Sequence, residues 1–320
     1  MRNFMRGMVL AAATALMISP AQAEYPERAI TMIVPFSAGG NSDVIARIVA
    51  DQMSDALGQP VIVENRGGGG GSIGSKLASA AKPDGYTILF ATAGTHSVNP
   101  GLRDVGYDPI ADFEPISVVV NSSVLIVVNP SVEANTLPEL IELTSKGDKK
   151  MTFASGGVGT VAHVAGELYN QLTGSNLVHV PYQGAGDVIN DLIAGRIDVN
   201  MNNLPTFLAH VKSGSVRPLA IAAPSRSALM PDVPTTAEGG LPDLVMGSWF
   251  GLVAPRDTPP EIVNRLHSSV ATILDSDTVK QRMTAIGTEP EVSPSPEAFG
   301  EFITDQLAWW AKVLDNPAFK

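Results

Sequence analysis

The sequence predicts an α/β protein of two domains built on mostly parallel sheets, and three observations carry that reading. Short apolar, β-rich runs alternate with segments whose apolar residues recur at helical spacing, the pattern of βαβ units. The alternation falls into two blocks, 25–120 and 125–240. The chain has 320 residues, enough at roughly 150 per domain for two cores. Hydrophobic residues make up 44% and charged ones 17%, a globular rather than a disordered composition.

The elements follow in order. Ile30 to Phe36 is a strand that stops at the pair Gly39-Gly40. Val44, Ile45, Ile48, Val49, Met53 and Leu57 then recur on one helical face, and Gly58 is the stop. Val61–Val63 reads as a strand, Ile73–Ala81 as a helix and Tyr86–Thr92 as a strand. Val118–Val120 and Leu125–Val128 are further strands. The second block repeats the unit: strand Met151–Ser155, helix Val161–Leu172, strand Val178–Tyr182, helix Val188–Ala194, and strands Ile197–Met201 and Leu219–Ala223. The tail adds a strand at Trp249–Val253 and helices at Pro259–Leu274 and 296–314, and it fits against either domain.

The N-terminus points to export. Arg2 and Arg6 precede the apolar run Met8–Ile18, Pro20 breaks it, and Ala21-Gln22-Ala23 is a small-x-small cleavage site. This is the layout of a secretory signal peptide over residues 1–23, with the mature chain starting at Glu24. No later stretch reaches the roughly 18 apolar residues of a membrane span. ATP and NAD are kept in the cytoplasm, so no cofactor is expected. Lys+Arg number 21 against 32 Asp+Glu; without Arg2 and Arg6 the balance is 19 against 32, or −13. No basic run is present, which argues against nucleic-acid binding. The absence of cysteine excludes disulfides, thiolate metal sites and cysteine nucleophiles.

Three loops share one design of strand, glycine turn and helix: Pro35 to Ser42, Ser155 to Thr160, and Pro181 to Gly186. In α/β sheets such loops lie at the carboxyl ends of strands, where ligands bind. Glycine lets the backbone approach a ligand, and a helix N-terminus adds unpaired N–H groups and about half a positive charge. A carboxylate or phosphate can be held there without Arg or Lys; an ordinary capped turn is the plainer reading of each loop alone. Asp43 would repel an anion, so it reads as a loop-ordering residue.

Other signatures fail on context. Gly157 to Ala162 fits a dinucleotide-binding pattern, yet Tyr182-Gln183 stands where its acidic residue belongs. Gly70-Gly71-Ser72-Ile73-Gly74 fits the hydrolase elbow, but Asn65-Arg66 and the glycines intervene after the strand and predict a loose loop. An exported α/β serine hydrolase using Ser72 is nevertheless the alternative reading. His96, His163, His179, His210 and His267 show no metal-ligand spacing, so no metal site is expected. His163, one turn into its helix, suits either a hydrogen bond into the cleft or a core role. Trp249 suits either ligand stacking or core packing, and Trp309-Trp310 reads as core.

In order along the chain stand Val34 to Gly40 with Asp43, Glu64-Asn65-Arg66, Pro83-Asp84-Gly85-Tyr86-Thr87, Tyr107-Asp108-Pro109, Ser155 to Thr160 with His163 and Glu167, His179-Val180-Pro181-Tyr182, Pro231 to Thr235, and Trp249 to Pro255. This string resembles the substrate-binding proteins of tripartite tricarboxylate transporters, the Bug receptors, over nearly all the mature chain. The resemblance implies a periplasmic binding protein of the type II, Venus flytrap kind. We expect domain 1 at 24–122 and 247–320 and domain 2 at 123–246. It also implies a monomer that captures a small organic mono- or dicarboxylate for membrane permease subunits or a sensor kinase, and performs no catalysis. By position, Phe36, Ser37, Ala38, Gly39, Gly40, Thr92, Ala93, Gly94, Ser155, Gly156, Gly159, Thr160, His163, Pro181, Tyr182, Gln183, Gly184 and Asn202 would line the site. Members often carry an acidic residue where this chain has Asn202, which predicts a carboxylate with no essential amino group.

Overall fold

The computed structural model describes residues 25–146 and 150–315. The segment read as a signal peptide, 1–23, lies outside the described residues. In chain order the elements are β1 (Ile30–Val34), α1 (Asn41–Leu57), β2 (Val61–Asn65), α2 (Ser72–Ser79) and β3 (Thr87–Thr92). A helical turn, Gly94–Val98, runs into α3 (Asn99–Leu102), followed by β4 (Phe113–Val128), α4 (Leu137–Lys146), β5 (Thr152–Ser155), α5 (Val161–Thr173) and β6 (Val178–Pro181). Then come α6 (Ala185–Ile193), β7 (Val199–Asn203), α7 (Leu208–Lys212), β8 (Arg217–Ala222) and β9 (Gly247–Pro255). The chain finishes with α8 (Pro260–Asp275), α9 (Asp277–Ala285), β10 (Glu289–Pro290) and α10 (Pro296–Leu314).

Two sheets share one strand. The first runs β2-β1-β3-β9-β4 with β10 also on β4; the second runs β4-β7-β5-β6 with β8 also on β4. Strand β4 is 16 residues long and pairs with β9 up to Ser123↔Gly247, then with β7 and β8 from Val124 onward. The sequence reading split β4 in two because Asn121-Ser122-Ser123 interrupts its apolar run. Pairing with β9, at Ser122↔Ser248 for example, keeps those polar residues extended. The expected parallel pairing holds for β1 with β2 and β3, and for β5 with β6 and β7. The pairs of β4 and β9 are antiparallel, so the sheets are mixed rather than mostly parallel. A strand returning beside its neighbour in this sense needs no crossover helix.

One face of each sheet carries its own core, and a third cluster, which includes Leu89 and Ala91 of β3 as well as Phe153 of β5 and Met201 of β7, runs through both. Ile45, Val49 and Met53 form one fully buried stripe on α1, set against Ile30, Met32 and Val34 of β1 and Leu266 and Val270 of α8. Each such side chain stabilises the fold by about 1.5–3 kcal/mol through area removed from water. Leu125, Val127 and Ala154 pack with Val188, Leu192 and Phe207 on the second sheet. The tail sits against the first sheet: β10 pairs with β4, and α10 buries Phe299 edge-on to Trp249, centroids 5.5 Å apart. Trp249 is therefore a core residue, as is Trp310, whereas Trp309 is exposed. Among the described residues no helix is long and apolar enough to cross a membrane.

Candidate functional site

Strand β1 delivers the chain to a turn whose Gly39 takes φ +82°, and Gly40 is the N-cap of α1 with no side chain capping it. The turn is wired from inside by Asp43. Its Oδ2 accepts from the Gly39 N–H at 2.9 Å, and its Oδ1 accepts from Asn65 Nδ2 at 3.0 Å and pairs with Arg47 at 2.9 Å. Asn65 also donates to the Phe36 carbonyl. Burial pushes the Asp43 carboxyl up, but the bonds from Arg47, Gly39 and Asn65 outweigh it and hold the group below its ordinary range. Asp43 thus orders the loop, in keeping with its position in the sequence.

The second glycine loop is wired without charge. Thr160 caps α5, accepting from the His163 N–H at 3.3 Å and donating to the Gly157 carbonyl at 2.8 Å. Ser155 Oγ accepts from the Gly157 N–H and lies 2.7 Å from His179 Nε2. His163 Nδ1 accepts from the Gly159 N–H at 3.3 Å, and its ring lies 4.4 Å from that of His179. Burial, then the neighbouring His179 and Arg103, push His163 down to about 4, and burial lowers His179. Both rings are neutral at neutral pH, which leaves Nδ1 of His163 free to accept.

A small cavity of about 40 Å³ lies at these two helix starts. Gly40, Asn41 and Ser42 line it at the start of α1; Gly156, in the loop after β5, and Thr160, Val161 and Ala162, at the start of α5, line it too. Phe36, Thr92 and Gly94, with Asn202 and Asn203 at the end of β7 and Ser248 and Phe250 of β9, complete the wall. The first intrahelical bonds are Val44 N–H to Gly40 O and Val164 N–H to Thr160 O, so the amides before them have no helical partner. No Lys or Arg lines the cavity among the described residues. Two buried polar atoms in the wall, Asn41 Nδ2 and Asn203 Oδ1, lack a partner among the described residues. Asn202 Oδ1 accepts from the Asn203 N–H at 2.8 Å, which occupies the oxygen and leaves the NH₂ end. The arrangement is suited to hold an anion by amide dipoles.

Of the residues named from sequence, Phe36, Gly40, Thr92, Gly94, Gly156, Thr160 and Asn202 line this cavity. Ala93, Ser155 and Gly159 are buried behind it, while Ala38, Gly39, Pro181 and Gln183 are exposed. Ser37 and Gly184 abut each other. His163 orients the Gly159 amide, and Tyr182 turns its hydroxyl to Asp191 at 2.6 Å. Asn41, Ser42, Val161, Ala162, Asn203, Ser248 and Phe250 were not named. The first four follow directly on the glycine loops, and Asn203 adjoins Asn202; nothing in the sequence marks Ser248, and Phe250 falls in the stretch Trp249 to Pro255 with no site role read for it. The glycine run is not loose: Gly68 to Gly71 all take left-handed φ, and Asn99 Nδ2 donates to the carbonyls of Gly69 and Gly70. Ser72 donates to the Gly69 carbonyl at 2.8 Å, a helix-start turn rather than a strained elbow.

Two sheets joined through the shared strand β4, with a cavity at two helix starts, define a two-domain solute-binding protein. The chain belongs to the tripartite tricarboxylate transporter family receptors, whose family model matches residues 45–318. It is 36% identical over 311 residues to Protein BugT of Bordetella pertussis, covering 96% of this chain and 95% of that one. Among solved structures, it resembles periplasmic binding protein BugD at 35% identity and TM-score 0.88, covering 91% of this chain and 98% of that one. MatC from Rhodopseudomonas palustris, solved with bound malate, is similar at 31% identity and TM-score 0.87, covering 91% of this chain and all of that one. The family is one of receptors.

Proposed function

We propose that this protein, secreted to the periplasm by cleavage of residues 1–23, captures a small organic carboxylate in the cavity and presents it to permease subunits or a sensor. The observation that carries this reading is the pair of helix starts, at Gly40–Ser42 and Thr160–Ala162, on one cavity with no Lys or Arg among the described residues that line it. Each offers unpaired amides and about half a positive charge to an anion. The ligand class agrees with the malate-bound relative. Asn202, whose oxygen accepts from the Asn203 N–H, has its NH₂ end to donate to a second carboxyl or a hydroxyl, and it carries no negative charge to attract an ammonium group. Asn203 Oδ1 favours a ligand that also brings a donor such as a hydroxyl.

On this reading the domains are 24–122 with 247–320, and 123–246, joined where β4 and β9 cross, and the protein works as a monomer. Contacts from both domains stabilise the closed form, which the membrane partner recognises. Isothermal titration with malate, succinate, adipate and aspartate tests the proposal. Malate, succinate or adipate should bind and raise the melting temperature without being consumed. Binding of aspartate alone, or turnover of any of the four, would overturn it.

A further inference from the structure

The two domains also touch directly, beside the cavity, at several points where a glycine stands on one side. A methyl group placed on Gly70 would sit 2.0 Å from the Val158 carbonyl oxygen, and one on Gly159 would sit 1.8 Å from Asn99 Oδ1. One on Gly157 would come within 3.1 Å of the Gly70 backbone. At a second point, one on Gly184 would meet Ser37 Oγ at 2.3 Å and Ser37 N at 2.9 Å. Gly70, Asn99 and Ser37 precede β4 at the first sheet, whereas Gly157, Val158, Gly159 and Gly184 belong to loops of the second. The run holding Gly70 is fastened within its own domain by Asn99, and Arg103 Nη2 bonds the Gly69 carbonyl at 2.5 Å. Across the contact Arg103 adds one long bond, 3.5 Å to the Val158 carbonyl. Backbone thus meets backbone at van der Waals distance with little hydrogen bonding to drive it.

We infer that this glycine contact is a stop that sets how far the domains close: Gly184, Gly70 and Gly159 are positioning residues that let the two helix starts reach one ligand. A contact so poor in hydrogen bonds specifies a closed spacing without locking it, which leaves closure to the ligand. The inference rests on the capture reading for its purpose, though not for its geometry.

Gly184 gives the clean test. Its φ of 173° is extended backbone open to any residue, so Gly184→Ala adds a methyl at the contact without straining the loop. The chain has no cysteine, so Ile62→Cys and Val178→Cys, exposed positions on the outermost strands β2 and β6, take a spin-label pair. Distance distributions are recorded alone and with malate or adipate. The labelled parent should show a short-distance population, and Gly184→Ala should reduce it about tenfold with an unchanged melting temperature. Adding Ser37→Ala, which removes the nearer clash, should restore part of it. Equal populations in parent and Gly184→Ala, or no short-distance population in the parent under any condition, would overturn the inference. Failure of the parent to bind either acid by calorimetry would count against the capture reading alone, since the distances judge the stop separately.

Discussion

The two glycine loops reach the same end by opposite wiring. At the first, no side chain caps α1, and a buried carboxylate, Asp43, gathers the Gly39 amide, Asn65 and Arg47 behind the turn. At the second, Thr160 caps α5, His163 accepts from the Gly159 N–H and His179 bonds Ser155, with no ion pair. Both leave the first residues of the helix, Asn41 and Ser42 or Val161 and Ala162, on the cavity. The difference teaches that a helix start can be presented to an anion whatever holds the loop, provided the holding groups stay off the amides that face the ligand. It also makes the loops unequal in their response to mutation, pH and salt.

The largest effect should come at the charged loop. Asp43→Ala removes three partners at once and strands Asn65; it should cost on the order of 3 kcal/mol in urea unfolding and weaken malate binding more than tenfold. Asp43→Asn, which keeps acceptor capacity, should cost less. A loss for Asp43→Ala no larger than that for capping Thr160 would erase the contrast between the loops.

Next comes acid. His163 stays neutral in the fold down to about 4, against an ordinary value of 6.5. The unfolded chain therefore binds a proton between those values that the native state refuses, so His163 makes stability fall as pH drops from 6.5 towards 4. His179 acts in the same direction. His163→Gln, which keeps an acceptor for the Gly159 amide, should flatten the melting-temperature profile in that window. An unchanged profile would place the titration elsewhere. The share of Asp43, whose carboxyl is lowered, is present above its ordinary 3.8 and lost only at more acid pH.

Thr160→Ala should cost about 1 kcal/mol, the usual worth of an N-cap, with Thr160→Ser close to the parent. Smallest of all should be the effect of salt. Amide dipoles and helix ends act at contact, inside the screening length, so raising ionic strength tenfold should change malate affinity by no more than about twofold. A steep loss would mean that cationic side chains hold the ligand.

Much of the site could be read in the chain because loop and helix start are adjacent in sequence. Gly39-Gly40 before an amphipathic run, and Gly159-Thr160 before another, locate both helix starts, the second to the residue, and Asp43 declares its role by standing in the first turn. His163 was harder: its position one turn in is compatible with a cleft donor, and only the fold shows Nδ1 turned back to Gly159. Ser248 and Phe250 were out of reach, since β9 lies far along the chain and gains its place by pairing with β3 and β4. The glycine run misled for a related reason. Five glycines carry no pattern of their own, and what orders them is Asn99 and Arg103, about thirty residues on.

By itself the sequence determined the alternation of strands and helices, the three glycine turns and the absence of cationic side chains at them, because propensity, periodicity and capping act over a few neighbouring residues. The tertiary structure alone decided that β4 runs unbroken between two sheets, that antiparallel pairs join them, and that two helix starts share one cavity. Those outcomes depend on which distant segments bury each other's surfaces, and no local interaction encodes that choice.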